Sequence, residues 1–221
     1  MPAPAPSSSS TPAANRRRPS FLREFLANPI ATAAIAPSSP QLATAMLRGV
    51  DIASLRTIVE FGPGTGIFTR AVLQALRAAG NTGATVIALE LNQRMAAALA
   101  ADLAAGANND DDPGPRVEVL NANALDIDRI LTERGLSHAD FILSGLGWPS
   151  IPAKVRDAIL EKTAAALPPG RQFRTFGYHI GLTLPGAWGF RKTVRRLFSR
   201  VEISPVVWRN IPPAFVYTCT K

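Results

Sequence analysis

Cysteine is nearly absent: across 221 residues the one thiol, Cys219, has no partner within the chain. A disulfide scaffold is excluded, and a reducing cytoplasm is the expected location. A signal-peptide core is missing too, since residues 1–14 are mostly Pro, Ala and Ser, so export is not expected. No apolar run is clean enough to span a bilayer. The uncharged stretch 25–47 has the required length of about 20 residues, but Pro29, Pro37 and Pro40 break it, and Asn28, Ser38, Ser39 and Gln41 make it partly polar. Histidine is scarce, and none lies near the acidic run Asn108-Asn109-Asp110-Asp111-Asp112. With Pro113-Gly114-Pro115 beside it, that run reads as a solvated loop rather than a metal site, and no metal is expected. What the chain does have is 47% hydrophobic and 18% charged residues in 23.5 kDa. That composition excludes a wholly disordered protein and suits one globular domain with a short appendage.

Charge is unevenly spread. The formal net charge is +8, made of +4 in residues 1–50, −4 in 51–170 and +8 in 171–221. Two basic ends around a mildly acidic middle suit terminal segments that meet an anionic surface, lipid or nucleic acid; the plainer reading is solvated arginines.

Residues 1–18 form a low-complexity tail that cannot bury enough apolar area to offset its ordering entropy. Residues 19–50 follow as a helical segment. In it Phe21, Leu22, Phe25 and Leu26 share one helical face, with Ser20 as N-cap and Arg16, Arg17 and Arg18 just before. Such a helix either lies in an anionic membrane interface or folds onto the core. A second short helix is expected over 41–48.

From residue 57 strands and helices alternate. Strands are expected at 57–61, 84–89, 117–120, 140–143 and 172–176, and helices at 67–79, 92–105, 128–134 and 152–167. This pattern predicts a parallel sheet covered on both faces over 51–221. Two last strands, 200–208 and 214–219, are separated only by 209–213 and predict a closing antiparallel pair. Before them Phe190, Val194, Leu197 and Phe198 alternate with Arg191, Lys192, Arg195, Arg196 and Arg200 at helical spacing. That helix would meet a lipid surface or track phosphates.

The sharpest local signal is Glu60-Phe61-Gly62-Pro63-Gly64-Thr65-Gly66, directly after a strand and before a helix. Glycines there permit close approach of a ligand to the backbone. The spacing is not that of a dinucleotide loop, and the acid two residues before the first glycine would repel a pyrophosphate. A carboxylate suits a cationic ligand such as the amino group and sulfonium of S-adenosylmethionine. Glu90 ends the next strand, where an acid commonly holds two ribose hydroxyls.

On these residues the chain resembles the class I S-adenosylmethionine-dependent methyltransferases. Within that class, over about residues 20–219, it looks like the bacterial peripheral phospholipid N-methyltransferases, relatives of the ribosomal RNA adenine dimethylases. Ile35-Ala36-Pro37-Ser38-Ser39-Pro40, Ser144-Gly145-Leu146, Phe176-Gly177-Tyr178 and Trp208-Arg209-Asn210-Ile211-Pro212-Pro213-Ala214 carry the finer resemblance. It implies a Rossmann-like α/β fold, a mostly parallel seven-stranded sheet with a C-terminal antiparallel pair. It also implies that Gly62, Gly64, Thr65 and Gly66 line S-adenosylmethionine, Glu60 faces its methionine end, and Glu90 with Leu91 holds the ribose side. Asn123-Ala124 stands where the family has aspartate-alanine reading the adenine, and Ser144 flanks the methyl group.

The implied activity is N-methylation of phosphatidylethanolamine and its methylated intermediates toward phosphatidylcholine. The enzyme would be a cytoplasmic monomer, peripheral on the inner membrane face. Making a lysine-like amine neutral near pH 7 costs on the order of 4 kcal/mol. Tyr178, at the family position, and His179 are candidates to assist, and Trp148 with Tyr178 could offer aromatic faces to the ammonium; His179 is alternatively a plain loop residue. The alternatives are a ribosomal RNA adenine dimethyltransferase or a methyltransferase of another small amine. The RNA enzymes carry asparagine and proline after the fourth strand, where this chain has Gly145-Leu146-Gly147-Trp148, so nucleic acid is not the expected partner.

Overall fold

The computed structural model describes residues 38–106, 114–183 and 185–221. The tail, the arginines Arg16, Arg17 and Arg18, the apolar face of Phe21, Leu22, Phe25 and Leu26, and the run 108–112 all lie outside the described residues.

Seven strands form one sheet: β1 Thr57–Phe61, β2 Thr85–Glu90, β3 Arg116–Asn121, β4 Phe141–Ser144, β5 Gln172–Tyr178, β6 Arg200–Ile203 and β7 Ala214–Thr220. Their order is β3-β2-β1-β4-β5-β7-β6. The first five pair in parallel, while β7 runs antiparallel between β5 and β6. β1 reads Thr-Ile-Val-Glu-Phe and is buried at every position, as a central strand covered on both faces must be.

Helices α1 Pro40–Leu47, α2 Ile67–Ala78, α3 Gln93–Gly106, α4 Ile127–Glu133, α5 Ala153–Ala165 and α6 Pro185–Leu197 cover the sheet. Strand alternation divides the core in two. Ile58, Val86, Phe141 and Leu143 face Leu42 and Met46 of α1 and Phe68, Val72 and Leu76 of α2. Val59, Ile87, Ile142 and Phe173 face α4, α5 and α6 through Ile130, Leu160 and Phe190. Each such fully buried side chain contributes about 1.5–3 kcal/mol. Helix α1 starts at Ser39, whose Oγ accepts the Leu42 N–H at 3.1 Å, and Pro40 fills the first turn, where no N–H is needed.

Two expectations about the C-terminal strands need correction. β6 stops at Ile203 instead of continuing to 208, because Pro205 has no N–H for the ladder. Only Val207 returns, as an isolated bridge to Ala214, and the connection spans 204–213 with a cis Ile211–Pro212 peptide. β5 extends to Tyr178, which pairs with Ala214, so Tyr178 lies within the ladder and not after it. Among the described residues no helix is long and apolar enough to cross a membrane.

Candidate functional site

The chain leaves β1 for β2 and β3 on one side and returns to β4 on the other. In such sheets ligands bind where the order reverses, outside the carboxyl ends of the strands. There the loops after β1 and β4 touch: Gly62 N–H donates to Leu89 O at 2.9 Å and Gly145 N–H to Phe61 O at 2.8 Å. Gly62, Gly64 and Gly66 have φ of 64°, 55° and 79°, a region glycine enters without strain. A Cβ on Gly145 would lie 2.5 Å from the Gly62 carbonyl oxygen, so no larger residue fits unless the loop moves.

Glu60 is fully buried at the end of β1, beneath the glycine loop. Its Oε2 accepts the Thr69 hydroxyl of α2 at 2.7 Å. Its Oε1 is, among the described residues, the one buried side-chain nitrogen or oxygen without a hydrogen-bond partner. Burial pushes this carboxyl up to about 7; the Thr69 hydroxyl opposes the rise and the nearby Glu90 carboxylate adds to it. A buried carboxylate oxygen with no donor is costly, and a cationic ligand would relieve that cost. Sequence reasoning missed Thr69; its signal is a hydroxyl three residues after Gly66, in the first turn of α2.

Glu90 ends β2. Its Oε2 accepts Gly64 N–H at 3.1 Å and its Oε1 accepts Asn92 N–H at 3.0 Å, tying the glycine loop to the next one. A carboxylate accepts about four hydrogen bonds, so capacity remains for two ligand hydroxyls. Asn121, also missed from sequence, donates to Glu90 O at 3.0 Å and Leu91 O at 2.9 Å and fixes that turn. Leu91 is 70% exposed beside it.

The remaining cofactor-side residues differ in what they offer. Thr65 is exposed and its carbonyl accepts Arg70 Nη1 at 2.6 Å. Asn123 Oδ1 accepts Leu125 N–H at 3.0 Å, capping the 3-10 turn that Ala124 begins, so its amide oxygen has a structural role the sequence did not disclose. Ser144 is buried, and its Oγ accepts Leu146 N–H at 3.1 Å, shaping the loop after β4.

Tyr178 and Trp148 do not share a face of the sheet. In parallel register Glu60 aligns with Leu143 and Leu143 with Arg174, so side-chain alternation puts Phe176 and Tyr178 on the Glu60 side. A run of rings joins them to α2: Tyr178 to Phe176 at 5.5 Å and Phe176 to Phe68 at 5.7 Å. Burial raises the Tyr178 phenol above its ordinary value. Trp148 is 2% exposed on the opposite side, against Phe173 and Phe190, with Nε1 donating to Thr175 Oγ1 at 2.9 Å. The expectation of Trp148 as an open aromatic face is therefore corrected: it is a core residue. His179 is exposed; its N–H donates to Pro213 O at 2.9 Å and its ring lies 6.1 Å from Trp208.

Two motifs far apart in sequence meet here. Asn210 is 1% exposed; its Oδ1 accepts Ser39 N–H at 2.9 Å and its Nδ2 donates to Pro212 O at 2.7 Å. The runs 38–40 and 208–214 thus form one clasp on the α1 side, the side of Glu60 and Tyr178. Among the described residues no group of three His, Cys, Asp or Glu could hold a metal. The arrangement can bind a ligand with an ammonium at one end, a backbone-hugging middle and a pair of hydroxyls toward Glu90.

No family model matches the chain. It is 31% identical over 201 residues to the ornithine lipid N-methyltransferase of Singulisphaera acidiphila, covering 90% of this chain and 93% of that protein. The O-methyltransferase of Bacillus cereus, solved with S-adenosylhomocysteine, superposes with a TM-score of 0.65 at 21% identity, covering 94% of each chain. The magnesium protoporphyrin IX methyltransferase of Synechocystis, solved with S-adenosylmethionine, gives 0.56 at 10% identity over 94% of this chain and 86% of that one.

Proposed function

Because the chain belongs to the class I S-adenosylmethionine-dependent methyltransferases, in the lipid N-methyltransferase family of its ornithine lipid relative, we propose that it methylates the primary amine of a membrane lipid. The observation that carries this reading is the 31% identity spread over nine-tenths of the chain. The relative's substrate favours an ornithine headgroup; the motifs around Ser144, Tyr178 and Asn210 favour phosphatidylethanolamine. Both present a primary amine at the surface of a bilayer, and the enzyme acts on it from the cytoplasmic face of the inner membrane.

S-adenosylmethionine supplies an electrophilic methyl group on a sulfonium. The protein's task is to hold, align and dry the reacting pair. Glu60 Oε1 receives the cofactor ammonium, which matches the buried oxygen left without a donor. Glu90 uses its spare lone pairs on the ribose hydroxyls. Gly62, Gly64, Thr65 and Gly66 would offer backbone to the cofactor, and Leu91 and Ala124 would offer apolar surface to its adenine. Ser144 holds the loop beside the methyl group.

On the acceptor side Tyr178 stays a neutral phenol near pH 7, because burial disfavours its anion. It orients the lipid amine through its hydroxyl oxygen and does not take the proton. Desolvation in the surrounding apolar wall lowers the ammonium pKa and sends the proton to water, with His179 as a rim contact for the headgroup.

The test is methyl transfer by the full chain from labelled S-adenosylmethionine to four acceptors offered in parallel: vesicles of phosphatidylglycerol alone, the same with phosphatidylethanolamine, the same with ornithine lipid, and undermethylated ribosomal RNA. Label in one or both amine lipids is expected. Label in RNA alone would overturn the reading.

A further inference from the structure

Four large apolar side chains stand in solvent on adjoining segments: Ile180 at 53%, Trp188 at 65%, Trp208 at 70% and Ile211 at 67% exposed. The segments are physically linked. Trp188 Nε1, in α6, donates to Leu182 O of the 3-10 turn His179–Thr183 at 3.1 Å. That turn is joined to the 207–213 loop by His179 N–H to Pro213 O and by the His179–Trp208 ring contact. Tyr178, one residue before the turn, puts this surface at the mouth of the acceptor side.

The loop is held rigid from within. Val207 N–H bonds Ala214 O at 2.6 Å, Asn210 N–H bonds Val207 O at 3.2 Å, and the Asn210 side chain clasps Ser39 and Pro212. These bonds leave Trp208 and Ile211 directed outward. Exposed tryptophan and isoleucine rimmed by cation mark an interaction face. The rim is cationic: α6 carries Trp188, Arg191, Lys192 and Arg195 along one stripe, lining an open cleft of about 420 Å³. Residues 171–221 hold a net +8.

We propose that this surface is a membrane-docking face. Trp208, Ile211, Trp188 and Ile180 enter the interface of an anionic bilayer while Lys192 and Arg195 engage lipid headgroups. The choice of a bilayer over a protein partner rests on the lipid-amine reading and on charge complementarity, each cation near an anionic surface adding about 1 kcal/mol. The face delivers Tyr178 to headgroup depth, so that the lipid amine need not leave the membrane.

Its test uses the full chain and vesicles of phosphatidylglycerol and phosphatidylethanolamine with brominated acyl chains, which quench only tryptophans that enter the apolar layer. Trp188→Phe and Trp208→Phe should each retain quenching from the tryptophan left at the surface. The double variant, left with enclosed Trp148, should show none. Lys192→Glu with Arg195→Glu should weaken vesicle partition at least tenfold and abolish the quenching. Vesicle-bound protein with unquenched Trp188 and Trp208, or self-association that shields both from soluble quenchers, would overturn the proposal. Methyl transfer to a lipid amine dispersed in detergent needs no docking face. Its absence in a chain that is quenched by vesicles refutes the lipid-amine reading alone, and its presence in a chain that is not quenched refutes the docking face alone.

Discussion

Replacing Glu60 with glutamine should weaken cofactor binding while making the free protein more stable above neutral pH. The carboxyl is fully buried with one oxygen unpartnered, and burial raises it from an ordinary 4.5 to about 7. Its folded value exceeds its unfolded one, so its contribution to stability is complete below about 4.5 and is lost as pH rises through 7. At about 1.36 kcal/mol per pH unit, the wild-type protein forgoes on the order of 3 kcal/mol at pH 8 relative to pH 4. Glutamine does not ionise and escapes that loss. For a chain of this size the melting temperature of Glu60→Gln at pH 8 should exceed that of wild type by up to roughly 10 °C, with little or no gain at pH 5.

Binding moves the other way. A charged hydrogen bond is worth about 1.5–3 kcal/mol, so the affinity of Glu60→Gln for S-adenosylhomocysteine, which keeps the amino group, should fall roughly 10- to 100-fold. In wild type, binding must release the proton that Glu60 carries, and affinity should drop about tenfold from pH 8 to pH 6; Glu60→Gln should lose that dependence. Calorimetry in buffers of different ionisation enthalpy, with thermal melts at both pH values, reads all three quantities. Unchanged affinity in the variant, or a stability difference equal at pH 5 and pH 8, would refute the assignment of Glu60 as an orphaned buried acid awaiting a cation.

Gly145→Ala should cost about 1–3 kcal/mol and weaken S-adenosylhomocysteine binding at least tenfold, because its Cβ would press on the Gly62 carbonyl. Gly49→Ala, at φ 73° but in open space, should cost about 1 kcal/mol and leave binding untouched; melts and calorimetry compare the two. Trp148→Phe should lower the melting temperature through loss of the Thr175 bond and packing, yet leave KM for the lipid amine unchanged at a permissive temperature; a raised KM would return Trp148 to the substrate wall. Asn210→Ala should strand the Ser39 N–H and the Pro212 carbonyl at about 1–3 kcal/mol, read by urea unfolding.

The order of strands and helices was legible because each buried strand is a short β-branched or apolar run and each helix repeats its apolar residues every three to four positions, as Phe68, Val72 and Leu76 do. The glycine loop and the two acids at the carboxyl ends of β1 and β2 were legible for the same local reason. What escaped depends on register and on contacts between distant residues. That Tyr178 and Trp148 lie on opposite sides follows from how β4 pairs with β5 and from the packing of Trp148 on Phe173, Phe190 and Thr175, which no spacing along the chain discloses. The Ser39–Asn210 bond joins residues 171 apart. Asn123 has the chemistry of a base contact and of a turn cap alike, and its position before Ala124-Leu125 makes it a cap. β6 is shorter than its apolar run implies because Pro205 has no N–H to donate to the ladder.

The alternation along β5 has a consequence for how such an enzyme diversifies. Phe173 and Thr175 knit the interior with Trp148, while Phe176 and Tyr178 pack on the Glu60 side, toward Phe68. Neighbouring positions on one ribbon therefore answer to different demands. Under the proposed function a change at 178 is read out first in which headgroup is accepted, whereas a change at 173 or 175 is read out first in the stability of the packing around Trp148.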